Sequence, residues 1–432
     1  MELTIEKLVY GGDGLARLPA DEHGRGKAVF LPFVLEEERV EAVVSEERSG
    51  FARARAVDIS QTSQFRTQPG CPYFSVCGGC HYQHSTYDHQ LDVKASILRE
   101  NLRRISKLEL SSELKVHPSP PWNYRNRTRL RVRTQPEFAL GYFKHGSHQF
   151  LAVQQCPISS PLINKAIKNL WDAGNAADFN PGLREIEFFA DAKDESLLAE
   201  VYCTGDVKMD AAEKLGLPLQ AAVPQSLGVA VFHEPTGKDE SMFDSAPLVR
   251  IRTCEMSYQT AGATYRVSAG SFFQTNRHLT DELVRIVTQG RSGRTALDLY
   301  AGVGLFSVVL SREFERIIAV ESSLQSHTDL TYNVPANVRA VRATVDQYLR
   351  KASDLRADLV VVDPPRGGLG ERVTKSLIGL KVPNVVYVSC DPATLARDLV
   401  ALLAAGYHVE QAHLVDLFPQ TFHVESVFSL TR

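Results

Sequence analysis

The chain of 432 residues has no window approaching the roughly eighteen uncharged apolar residues that a bilayer-spanning helix needs, so no membrane partner is expected. Its amino end, MELTIEKLVYGGDG, lacks the basic-then-apolar pattern of a secretory signal, and a cytoplasmic location follows as the expectation. Cysteine is scarce and odd in number. The seven (Cys71, Cys77, Cys80, Cys156, Cys203, Cys254 and Cys390) argue against a disulfide framework and for metal or catalytic roles. Excess positive charge is also missing: 48 Lys and Arg face 51 Asp and Glu, for a net charge of −3, so any nucleic-acid surface must be local. With 44% hydrophobic and 23% charged residues, the composition is globular, and the length calls for two to four domains.

Residues 1–60 carry short apolar runs broken by Gly11-Gly12-Asp13-Gly14 and Gly24-Arg25-Gly26, a rhythm that predicts a small antiparallel barrel. In shape and position it resembles a TRAM domain, an RNA-binding module of the OB type. Twelve acids against eight bases leave no broad phosphate-binding face there, so a structural or docking role stands beside RNA binding.

Residues 61–260 read as a central mixed α/β domain. Cys71, Cys77 and Cys80 are spaced C-x5-C-x2-C, with Cys156-Pro157 further on. Thiolates in this ragged spacing suit a [4Fe–4S] cluster better than zinc, whose ribbons usually bring two C-x2-C knuckles. A structural or RNA-facing role is expected of such a cluster. From Tyr87, the positions Tyr87, Leu91, Ala95, Leu98, Leu102 and Ile105 step at helical spacing, with Lys94, Arg99, Arg103, Arg104 and Lys107 placed on the surface. Arg125, Arg127, Arg129, Arg131 and Arg133 then alternate along a predicted strand, which puts five guanidiniums on one face. Like charges so placed repel unless an anion lies across them, and RNA phosphate is the anion expected; pairing with the chain's own acids is the alternative. Cys203 and Cys254 have no ligand-like spacing and read as core.

Residues 261–432 read as a Rossmann-like domain. A strand into Asp298, a turn through Tyr300, Gly302 and Gly304, and a second strand ending at Glu321 form a nucleotide-binding βα unit that lacks the third fingerprint glycine. An acidic terminus able to accept from ribose hydroxyls, with no phosphate-gripping loop, suits S-adenosylmethionine better than NAD. Further strands run into Asp363-Pro-Pro-Arg366 and into Ser389-Cys390-Asp391-Pro392. Cys390 thus falls past a strand end, beside a predicted helix N-terminus, where a lowered pKa and a nucleophilic thiolate are expected. A small buried hydrophobe is the plainer alternative for a lone cysteine.

Phe273-Gln-Thr-Asn276, Asp298-Leu-Tyr-Ala-Gly-Val-Gly304, Asp363-Pro-Pro-Arg366, Ser389-Cys-Asp-Pro392 and Phe418-Pro-Gln-Thr-Phe-His423-Val-Glu425 occur in the order seen in the RumA/TrmA family of RNA 5-methyluridine methyltransferases, which this chain resembles. The amino-terminal barrel and the cysteine set are similar to the RumA branch. The resemblance implies transfer of a methyl group from S-adenosylmethionine to uridine C5 through a covalent adduct, with Cys390 as nucleophile and Glu425 as proton acceptor. It also implies that Gln274, Tyr300, Glu321 and Asp363 hold the donor and that Cys71, Cys77, Cys80 and Cys156 hold the cluster. The expected substrate is RNA, ribosomal in preference to transfer RNA, and the expected state is a monomer. A cytosine-5 RNA methyltransferase and a non-catalytic iron–sulfur RNA-binding protein are the competing readings.

Overall fold

A computed structural model describes residues 1–18, 26–110, 113–174, 182–234 and 246–432. Gly24 and Arg25 of the second glycine break lie outside them. The amino-terminal domain is one curled sheet of β1 (Glu2–Thr4), β2 (Lys7–Leu8), β3 (Asp13–Arg17), β4 (Ala28–Pro32), β5 (Arg39–Glu47) and β6 (Phe51–Gln61), in the order β1-β5-β6-β4-β3-β2. Alternation drives it: Val40 and Ala42 of β5 and Ala52 and Ala54 of β6 point inward with Leu3, Val29 and Leu31, while their neighbours face water. The sheet is not purely antiparallel as the sequence suggested. β4 runs parallel to β6, because the hairpin of β5 and β6 folds back beside it.

After α1 (Tyr87–Asn101), a π turn over Leu102–Ser106 and β7 (Leu114–His117), a second sheet forms from β8 (Arg127–Arg133), β9 (Ala139–Phe143), β10 (Phe150–Ala152), β11 (Leu183–Ala190), β12 (Leu197–Cys203), β13 (Ser226–His233) and β14 (Val249–Arg252). Its order is β10-β9-β8-β11-β12-β13-β14. The helices α2 (Pro161–Ala173) and α3 (Met209–Ala222) pack on it through Ile163, Ile167, Leu215 and Leu219. Cys203 and Cys254 are buried core residues.

The arginine face is where the structure departs most from the sequence reading. In the antiparallel register of β8 and β11, Glu187 stands opposite Arg129 and Glu185 opposite Arg131. Arg129 bonds Glu187 at 2.7 Å and Glu185 at 3.1 Å; Arg131 reaches Glu185 at 2.9 Å; Arg127 lies 3.4 Å from Glu187. Each guanidinium of Arg127, Arg129, Arg131 and Arg133 also lies over a ring, of Phe189, Tyr202, Phe143 and Phe150 respectively. For Arg127, Arg129 and Arg131 the anions are therefore the chain's own carboxylates, and this part of the strand is a structural seam rather than a phosphate grip; Arg125 precedes the strand and Arg133 is exposed at its end. Lys94 is a second correction. It is fully buried against Asp416, not on the surface.

A two-stranded ribbon, β15 (Glu255–Thr260) with β16 (Ala263–Ser268), leads to α4 (Thr280–Thr288) and the third sheet. That sheet comprises β17 (Gly293–Leu299), β18 (Phe314–Glu321), β19 (Val338–Arg342), β20 (Leu359–Val362), β21 (Asn384–Ser389), β22 (His408–Val415) and β23 (Ser426–Thr431). Its helices are α5 (Leu305–Leu310), α6 (Leu324–Asn333), α7 (Val345–Lys351), α8 (Gly370–Leu380) and α9 (Pro392–Ala404). The order is β19-β18-β17-β20-β21-β23-β22-β7, with β17 to β21 all parallel and β23 antiparallel between β21 and β22. Runs such as Val385-Val386-Tyr387-Val388 are wholly buried because helices cover both faces. By packing, α1 and β7 also belong to this sheet: Ala95, Leu98, Leu102 and Leu114 join its core.

Candidate active site

The order of the third sheet reverses between β17 and β20, and in open parallel sheets ligands bind at the strands' carboxyl ends near such a switch. Four candidate residues line up there, one per strand: Glu321 ends β18, Tyr300 follows β17, Asp363 follows β20 and Cys390 follows β21. At about 4.8 Å between strands, the row from Glu321 to Cys390 spans three intervals, about 14 Å. The backbone turns sharply after β17, with φ of +66° at Tyr300 and +56° at Gly302, and a Cβ on Gly302 would meet nothing within 4 Å. The turn is thus open on that side. Glu321 accepts from the Gly302 N–H at 2.9 Å and the Ser323 N–H at 2.7 Å. These bonds orient the carboxylate at the sheet edge. Gln274, nearly buried, donates to Asp363 at 3.5 Å. Behind the turn, fully buried Asp298 accepts from Ser307, and burial pushes its pKa up to about 6.

Glu425 reaches the same edge from a different direction. Ser426 pairs with Ser389 across β23 and β21, and residues 425 and 390 each follow one step beyond that last pair, where the Glu425 charge acts on the Cys390 thiol. Glu425 is 6% exposed, and burial, then the neighbouring Asp363, raises its pKa well above the carboxylate range; Arg366 opposes that shift. Asp363 is likewise raised, to about 7, by burial and Asp298. The expected thiolate at Cys390 is not what this environment favours. Burial, then the Glu425 and Asp363 charges, pushes the thiol up to about 12. The helix N-terminus gives little relief, because Asp391 caps α9 and takes the Ala393 and Thr394 N–H groups itself.

Two groups at this edge stand in the quoted motifs but had no role assigned from sequence: Arg366 and His423, whose side chains lie 3.5 Å apart. The carboxyl-terminal segment that carries Glu425 is anchored by residues far from it in sequence, of which Asn276 closes the Phe273–Asn276 motif. Asn276 donates to the Leu417 carbonyl, Tyr124 to the Pro419 carbonyl, and Lys94 to the Phe418 carbonyl.

Away from the sheet edge, Cys71, Cys77, Cys80 and Cys156 line one cavity of about 250 Å³ together with Gln83, Tyr142, Arg125 and Arg129. Burial pushes the Cys77 thiol up to about 11 and raises those of Cys71 and Cys80 as well. Among the described residues, no three His, Cys, Asp or Glu side chains converge on one metal position. The cavity loops are tied to the active-site segments by backbone: His81 and Tyr82 both donate to the Gln420 carbonyl, and Arg125 and Asn126 link the Pro157–Ser160 turn to Thr275 and Asn276.

A parallel sheet with a glycine turn at its switch point and an acid ending the next strand defines a Rossmann-like methyltransferase fold. Residues 86–432 match the tRNA (Uracil-5-)-methyltransferase family, and residues 1–57 match the TRAM domain. The chain belongs to that family, and it is an S-adenosylmethionine-dependent RNA (uracil-5-)-methyltransferase. It is 33% identical to an uncharacterized RNA methyltransferase of Aquifex aeolicus, over 99% of this chain and 97% of that one. Another uncharacterized RNA methyltransferase, of Halalkalibacterium halodurans, is 29% identical over 99% and 96%. The solved tRNA (uracil-54, C5)-methyltransferase of Pyrococcus abyssi, in complex with S-adenosyl-L-homocysteine, shares the fold with a TM-score of 0.76 at 24% identity and full coverage of both chains. Family membership decides against the cytosine-5 and non-catalytic readings.

Proposed function

We propose that Cys390 and Glu425 carry the methyl transfer as nucleophile and base, with Gln274, Tyr300, Glu321 and Asp363 holding the donor along the sheet edge. The β21–β23 register, whose last pair, Ser389 with Ser426, stops one residue short of Cys390 and of Glu425, supports this reading, as does the Glu425 charge acting on the Cys390 thiol. The bound donor supplies an electrophilic methyl group on sulfur. Uracil C5 is too weak a nucleophile to take it unaided. Cys390 Sγ adds to C6 as its proton passes to Asp363, the other carboxylate that faces it, and the C5–C6 electron pair moves into an enolate, which leaves Glu425 unprotonated for the later step. C5 then takes the methyl group. Glu425 removes the C5 proton, the electrons re-form C5=C6, and the Cys390 thiolate leaves. The high thiol pKa fits this order: sulfur becomes charged only when a base is there to receive its electrons. Reaching this edge requires the uridine to leave its stack, at about a few kcal/mol.

The test uses RNA and labelled donor. Glu425→Gln should accumulate an RNA-linked protein, stable to denaturing electrophoresis, that carries the donor's methyl group, because elimination needs the carboxylate. Cys390→Ala should give neither adduct nor product. Near wild-type turnover by Glu425→Gln, or an adduct that persists without Cys390, sinks the assignment.

The substrate we propose is ribosomal RNA, acted on by a cytoplasmic monomer, on the strength of the TRAM match together with the four-cysteine cavity. Transfer RNA is the second reading, favoured by the Pyrococcus abyssi protein, which has this full extent and is named for tRNA uracil-54. Mapping 5-methyluridine in both RNAs from cells lacking the gene separates them, and sedimentation of the purified protein checks the monomer. A [4Fe–4S] cluster is the proposed occupant of the cysteine cavity: four thiols line one void, and Arg125 beside it would offset thiolate charge. There it would brace the loops bonded to Gln420 and Thr275. Anaerobically purified protein should be brown and should lose that colour in Cys77→Ser; stoichiometric zinc without iron would overturn the assignment.

A further inference from the structure

The amino-terminal domain reaches the Cys390 loop through Tyr10. Tyr10 sits in the turn between β2 and β3, where Val9 N–H bonds Asp13 and Gly12 N–H bonds Val9. The turn has little room to move. Gly12 has φ +95°, and a Cβ there would lie 2.9 Å from the His81 Cβ, while His81 is itself bonded through its backbone to Gln420. Held in this way, the Tyr10 hydroxyl lies 3.5 Å from the Cys390 carbonyl oxygen, with the Asp391 charge nearby. Its ring meets Phe422 edge-on at 5.4 Å. Phe422 in turn contacts His81 and His423.

We propose that Tyr10 is a positioning residue: its hydroxyl fixes the Cys390–Asp391 backbone, so the amino-terminal domain is part of the methyl-transfer machinery and not only an RNA-binding appendage. The proposal rests on Cys390 being the nucleophile. Burial, then the Asp391 charge, raises the phenol pKa, so the hydroxyl keeps its proton and stays a donor at any working pH. Its acceptor, the Cys390 carbonyl, lies where the chain leaves β21 and enters α9, which sets where Sγ points. Loss of one hydrogen bond to this loop is about 1 kcal/mol, or about fivefold in the rate of the step it orients.

Tyr10→Phe removes only the hydroxyl and keeps the ring on Phe422. Its rate of covalent adduct formation with RNA carrying 5-fluorouridine, whose fluorine blocks elimination, should fall about fivefold. RNA affinity, donor affinity and thermal midpoint should stay at wild-type values, and Tyr10→Ala should be slower still. A Tyr10→Phe protein that forms adduct at the wild-type rate, or whose whole deficit is regained at saturating RNA or donor, overturns the proposal. Adduct formation by Cys390→Ala in the same assay would instead overturn the nucleophile assignment.

Discussion

Replacing Lys94 with methionine keeps the side chain's length and removes its charge, which isolates the contribution of one buried ion pair. Lys94 Nζ lies 2.6 Å from Asp416 Oδ1 and donates to the Phe418 carbonyl at 2.9 Å; the two side chains are 0% and 1% exposed. An exposed pair would contribute about 0–1 kcal/mol. Here the variant leaves the Asp416 carboxylate buried, with Tyr87 as its remaining side-chain donor at 2.9 Å, and breaking such a pair costs about 3–5 kcal/mol. A domain of this size loses about 2–4 °C of Tm per kcal/mol, so the catalytic domain should melt about 6–20 °C lower. Asp416 also opens the segment that leads to Glu425, so methyl transfer should fall at temperatures where the fold persists. The assay is urea unfolding followed by circular dichroism, with methyl transfer measured in parallel. Lys94→Met with Asp416→Asn removes both charges and should regain most of the loss. A single variant within about 1 kcal/mol of wild type, or a double variant no better than the single, refutes the argument.

Arg129→Ala should cost about 3 kcal/mol of stability, because buried Glu187 loses its closest partner and buried Glu185 keeps only Arg131 of its two close ones. It should leave the salt dependence of RNA binding unchanged; a slope smaller by about one would put a phosphate on this strand after all. Asp298 gives a pH test. Its folded pKa, about 6, lies above the unfolded value, so its contribution is fully present below the unfolded pKa and is lost as pH rises through about 6. Asp298→Asn cannot titrate, so its stability relative to wild type should improve by about 1 kcal/mol between pH 5 and pH 8, read from urea midpoints. A difference that stays flat or moves the other way contradicts the buried, raised carboxyl.

What the sequence made legible is what repeats locally. The apolar run of β21 ends at Cys390 and that of β18 at Glu321, and a strand buried on both faces can be read from a few consecutive residues. The period of two along β8 was equally plain. What lies across from that face was not, because Glu185 and Glu187 stand 56 and 58 residues from Arg129 and only register brings them over. The same distance rule explains the other misses. Lys94 looked like any lysine on a basic helix until Asp416, 322 residues away, entered the core beside it. Tyr10 is 380 residues from the carbonyl it contacts. Cys390 is the sharpest instance, because a sound local rule gave the wrong sign. A helix N-terminus does favour a thiolate, but the next residue, Asp391, takes those N–H groups, and an antiparallel strand from the carboxyl end brings Glu425 across. A neighbouring carboxylate and burial both disfavour a second negative charge, so the resting thiol is held neutral. The burial and the Asp363 charge that raise the Glu425 carboxyl also make it a stronger base in its ionised form, able to take the C5 proton once sulfur has become covalently bound and uncharged.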